Sequence, residues 1–197
     1  MSFANEFAIV DMIVASQHET RGIDAFSLSI IKTERQMRKL FTHLIFQYPC
    51  FDGTSVSAMR DLLGAGRNYY FEGFERGVDA VAPRTVAHMI GGDYASLRER
   101  LSQAMEIRNK VFHGQVTKTK YMTRDELLGY VADIRCWCET FAEVSLNEIG
   151  YDGFGRNSLR KCRPNLANTF KYQIASIDGY RRLLKEHVAR PVHGGGK

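Results

Sequence analysis

The sequence predicts an all-α fold: an up-and-down bundle of four to five helices with a basic helical extension at its C-terminal end. Three observations predict it. Apolar residues recur at helical spacing over residues 23–48, 55–81 and 127–149. A Thr-x-x-Glu capping box opens the last of these stretches, and Pro49 and Gly150 stand where the first and last patterns end.

Taken in order, Phe3–Val14 mixes apolar residues with Asn5, Glu6 and Asp11, which suits a short helix or a strand, and both stay open. From Ile23 to Tyr48 one helix face carries Ile23, Ile30, Met37, Phe41, Leu44 and Tyr48, and Pro49 ends it. Glu34 falls on that same face. Residues 51–54 form a turn, and Ser55–Val81 resumes the helical period through Val56, Met59, Leu63, Tyr70, Phe74 and Val78. Gly64, Gly66, Gly73 and Gly77 interrupt it at about 1 kcal/mol each relative to alanine, so a kink or break is expected. The segment Gly64-Ala65-Gly66-Arg67-Asn68 lacks the Lys-Ser/Thr of a phosphate loop and a preceding strand. Pro83–Gly92 reads as a loop holding His88, with Asp93 as N-cap of the next helix.

That next helix holds the feature around which a function can be built. Leu97, Leu101, Ala104 and Met105 form an apolar stripe, and at about 100° per residue Arg108 falls in the middle of it. A guanidinium buried without a partner costs several kcal/mol, roughly, so it must face an acid, a cavity or a second subunit. Glu34 is the natural acid; its alternative partner is Arg38, four residues on along the same helix. Asn109 and His113 are also four apart, so with Arg108 they can converge on one small anion, and Gly114 closes the helix. Two other Arg-(four residues)-His spacings occur. Arg38–His43 is set aside because His43 falls well away from the apolar stripe, and Arg182–His187 because it lies in a basic tail.

The run Arg108-Asn109-Lys110-Val111-Phe112-His113-Gly114, at a helix end in a small helical chain, resembles the HEPN superfamily (higher eukaryotes and prokaryotes nucleotide-binding). The resemblance covers about residues 23–150. It implies a four-helix up-and-down bundle and a metal-independent endoribonuclease, with a composite active site at a homodimer interface, acting as a toxin or anti-phage defence effector. Arg108, Asn109 and His113 would then be catalytic, with Glu34 in support. The chemistry is reasonable: the 2′-hydroxyl of RNA attacks the adjacent phosphorus, leaving a 2′,3′-cyclic phosphate and a 5′-hydroxyl. Histidine, with a reference pKa of about 6.5, can exchange the proton, while arginine grips the phosphate. No cofactor and no metal are implied, and an inhibitor or sensor protein is an expected further partner. Several family toxins carry a tyrosine two residues after the histidine, where a partner enzyme adds AMP to silence them. Here Gln115 stands there. The alternative is a catalytically inactive HEPN-like RNA-binding or dimerisation module. A metal hydrolase fares worst, since no helix carries paired His and carboxylate ligands.

Beyond the motif, Lys118 and Lys120 are candidates to hold an RNA backbone. Thr123-Arg124-Asp125-Glu126 is the capping box, and Leu127, Val131, Ile134, Cys138, Phe141, Ser145 and Ile149 keep the helical period after it, with Trp137 as a core or interface residue. Gly150–Gly155 is the clearest boundary, dividing a bundle over 1–150 from an extension over 151–197. Charge divides there too. Residues 156–197 carry ten Lys or Arg against Asp178 and Glu186, a net of +8, which leaves −3 on residues 1–155 of a chain whose total is +5. Arg160, Lys161 and Arg163 are the RNA-binding candidates within it, the alternative being a solvated extension. Ser158–Val188 has weaker helical spacing, broken by Pro164, and the end from His193 is expected to be disordered. Cys50, Cys136, Cys138 and Cys162 show no zinc spacing and read as reduced thiols. With no leader pattern and no apolar run of about twenty residues, the expectation is a cytoplasmic protein with no membrane contact.

Overall fold

A computed structural model describes residues 3–66, 69–112, 122–155 and 157–189. Helices account for the regular structure of these residues, with no strand among them. The open choice at the N-terminus resolves as a helix, α1, Phe3–Ala15. Its Phe7 and Val10 are fully buried, and Glu6 is buried with them because Lys32 (3.2 Å) and Arg35 (2.9 Å) compensate its charge.

The central helix α2, Arg21–Phe46, packs against α1, against α4 (Phe71–Val81) and against α7 (Arg124–Ile149). The four-glycine stretch breaks as its composition requires, into α3, Val56–Ala65, and α4, Phe71–Val81. The glycines on α4 permit close approach: a Cβ on Gly73 would stand 2.1 Å from the Val188 carbonyl oxygen. The segment read as a loop over 83–92 contains a short helix, α5, Val86–Ile90, whose N-terminus Thr85 caps by accepting from the His88 amide. Asp93 does not act as the expected side-chain N-cap. Gly91–Asp93 forms a 3₁₀ turn that runs into α6, Tyr94–Phe112, and it is the Asp93 carbonyl that accepts from Ser96 Oγ (3.0 Å). The long helix α7, Arg124–Ile149, opens on the full Thr123–Glu126 capping box and ends on Gly150 in the left-handed region (φ +83°), where an L side chain would be strained.

Phe26 meets Tyr130, and Thr33 meets Cys138, so α2 and α7 run parallel; Arg100 on Asp133 and Gln103 on Tyr130 set α6 antiparallel to α7. Trp137 is fully buried between Phe71, Tyr94 and Phe141.

Past Gly150 the described residues are mostly irregular rather than helical. Among them only a 3₁₀ turn at Leu166–Thr169, the helix α8 at Ile177–Leu183 and a π turn at Leu184–Val188 are regular. This segment packs back on the bundle, burying Tyr151, Phe154, Phe170, Ile174, Tyr180, Leu183, Leu184 and Val188. It also covers His43, which the helical period had placed away from the core. The imidazole is wholly buried, stacked on Tyr151 (4.6 Å), with Nδ1 2.9 Å from the Ser158 carbonyl and Nε2 3.2 Å from Cys162 Sγ. Burial pushes its pKa down from 6.5 to about 4. Periodicity misses this because it reports one face of a helix, and α2 is covered on several. Among the described residues, no helix is long and apolar enough to cross a membrane.

Candidate functional site

The C-terminal half of α6 lies beside α2, and the two helices bring Arg108 to Glu34. Arg108 Nη2 donates to Glu34 Oε1, with both side chains partly buried. Glu34 thus pairs with Arg108 rather than with Arg38 on its own helix. Burial raises the Glu34 pKa; Arg108 opposes that shift by charge and by the hydrogen bond, while Glu72 adds to it. Glu72 is a member of this cluster that the helical pattern did not single out. It stands in the first turn of α4, where the chain restarts after the glycine break, and an acid there also complements the positive end of the helix. Asn109 is exposed on α6 next to Arg108. His113, Lys118 and Lys120 lie outside the described residues.

The three basic candidates of the C-terminal segment are placed differently. Lys161 Nζ donates to the Phe46 carbonyl at the C-terminal end of α2 and to the Tyr48 carbonyl just beyond it (2.5 and 2.6 Å). Arg163 donates to the Glu148 and Asn147 carbonyls (3.1 and 2.6 Å), the corresponding end of α7. Both cations stand where helix dipoles and orphan carbonyls attract them. Arg160 is exposed and borders a cavity of about 340 Å³ with Leu146, Tyr151 and Asn157, while its carbonyl accepts from Gln47 Nε2 (2.9 Å). That cavity shares no residue with the Glu34–Arg108 cluster.

Cys138 is buried and Cys136 exposed on opposite sides of α7, and neither belongs to a group of three or more ligands among the described residues. Chemically, the site provides a guanidinium held by the Glu34 carboxylate near the end of a helix, with Glu72 close enough to Glu34 to act on it by charge. It suits an anionic ligand able to compete with Glu34.

No protein-family model, curated protein or solved structure matches the chain.

Proposed function

We propose that the chain is a metal-independent endoribonuclease. The observation that carries this is the Arg108–Glu34 pair: the arginine of the Arg-Asn-x-x-x-His run is held by a carboxylate from an early helix at the exit of its own helix. That contact orients the guanidinium plane without placing it in the core, the arrangement a phosphate clamp needs. His113 then exchanges the proton of the attacking 2′-hydroxyl or the leaving 5′-oxygen, and Asn109 orients the substrate. One chain supplies one such histidine, so the active form is a homodimer whose two motifs face each other. Ile31 (49% exposed) one turn before Glu34 and Tyr70 (47% exposed) two residues before Glu72 supply the apolar surface that such a contact buries. In the cell the protein acts as a toxin or anti-phage effector on RNA.

The test is incubation of wild type and His113→Ala with total cellular RNA in EDTA, with end chemistry read by phosphatase and kinase sensitivity. Cutting by wild type alone, leaving 2′,3′-cyclic phosphate ends, is the expected result, and growth arrest on expressing wild type alone is the expected counterpart in cells. RNA that binds but stays intact with both proteins would instead point to the inactive RNA-binding module.

A further inference from the structure

Glu34 has two arginines within its helical neighbourhood and takes the one on α6. Arg38 is left exposed, with no carboxylate in ion-pair range among the described residues. Its guanidinium lies 5.8 Å from the centroid of the Phe74 ring on α4, which holds it in place but satisfies none of its N–H donors.

Two tyrosines stand beside it. Tyr180 is wholly buried and its hydroxyl has no hydrogen-bond partner among the described residues; Tyr69 and Arg38 are both close enough to act on it electrostatically. Tyr69 is half-buried, 6.2 Å from Phe74 ring to ring, and folded over Gly66, where a Cβ would meet its ring at 1.9 Å. One side of α2 therefore presents the Glu34–Arg108 pair and, one helical turn or about 6 Å further on, an arginine stacked on an aromatic ring and flanked by tyrosines.

Charge says what this arginine is for. Glu34, Glu72 and Arg108 together carry a net negative charge when both carboxylates are ionised, so a polyanion approaching Arg108 needs a second cation close by. Arg38 is that cation, offset along the helix by about one step between neighbouring phosphates of an extended strand.

We infer that Arg38 binds the phosphate adjacent to the one Arg108 grips, so that single-stranded RNA runs along α2 from Glu34 toward Arg38 with Tyr69 beside its ribose or base. This rests on the ribonuclease proposal and adds to it the course of the strand. No bond is made or broken at Arg38. It donates hydrogen bonds, and the flanking phosphate accepts them.

A cycle between a protein change and an RNA change tests it. Cleavage of a short single-stranded oligonucleotide is compared with cleavage of the same sequence carrying a neutral methylphosphonate at each phosphate flanking the scissile one in turn, with full-length wild type and Arg38→Gln. At one flanking position the neutral linkage lowers wild-type kcat/KM about tenfold or more. Arg38→Gln lowers it similarly on all-phosphate RNA, and the two changes together cost no more than either alone. Arg38→Lys, which keeps a cation and an aliphatic stem over Phe74, recovers part of the loss and carries the same cycle if Arg38→Gln melts early. Effects that multiply, or Arg38→Gln cutting all-phosphate RNA as well as wild type, would overturn the inference and leave the ribonuclease proposal standing. If wild type cuts no RNA at all, the proposal fails and the strand path fails with it.

Discussion

Two groups of cations in this chain look alike as sequence and differ in what they face. Lys161 and Arg163, in the most basic part of the chain, point at backbone carbonyls that end α2 and α7. Arg108 and Arg38, in the part with net negative charge, point at a carboxylate and at an aromatic ring on the side of the bundle. Net charge therefore does not by itself say which cations are left for a ligand. A basic tail can be basic because helix C-termini are negative, and an arginine in an acidic neighbourhood can be the one kept for a ligand.

The contrast can be broken first at the anchor of the C-terminal segment. If that segment is structural, Tyr180→Ala should lower stability by about 3–5 kcal/mol, the cost of a large buried ring, whereas Tyr180→Phe should leave it near wild type because the hydroxyl has no partner among the described residues. Urea midpoints measure both, and a small effect of the alanine would mean the segment is merely draped on the bundle. Gly73→Ala should cost about 2 kcal/mol or more in the same measurement, since its Cβ would collide with the Val188 carbonyl, a backbone atom that can yield only if the segment moves.

A pH effect of about 2 kcal/mol comes next. His43 is neutral in the folded state with its pKa held down to about 4, so the unfolded chain, with a histidine pKa of 6.5, takes up its proton first as pH falls. Stability contributed by the neutral imidazole is fully present above pH 6.5 and is lost progressively down to about 4; at pH 5 the loss is about 2 kcal/mol. Glu34, Glu75 and Asp79, raised by burial, act in the opposite sense at lower pH. They do so equally in a His43→Gln variant, so the comparison isolates His43. Equal pH slopes for the two proteins from pH 7 to 5 would count against a buried neutral histidine.

The smallest effect separates the two groups most sharply. Lys161→Met should lower stability by about 1 kcal/mol through its lost helix-end contacts and leave the salt dependence of RNA binding unchanged. Arg38→Gln should reduce that log–log slope by about 0.7, the value for one phosphate contact on a single strand. A slope change with Lys161→Met would return the tail to the RNA-binding surface.

Much of this was legible in the residues themselves. The capping box at Thr123–Glu126, the break among the glycines and the stop at Gly150 are local, and local chemistry decided them. Glu34 meeting Arg108 was legible for another reason: two charges on two apolar stripes have few ways to be satisfied except by each other. What stayed hidden needed long-range contact. His43 lies off its helix's main stripe and is buried by residues more than a hundred positions later. Lys161 and Arg163 serve carbonyls on α2 and α7, which no spacing within their own segment encodes. Glu72 joins the site only because a separate helix starts there.

The closure of His43 has a consequence for the order in which the molecule comes into being. A chain emerging from the ribosome delivers α2 more than a hundred residues before those that cover it: Phe41 and His43 wait for Tyr180, Tyr151 and Cys162. Until Val188 seats against Gly73 and Gly77, α4 lacks one wall and the side of α2 that carries Arg38 is not yet framed. Any chemistry on that side of α2 would therefore have to wait until residues 177–188 have been made and have docked.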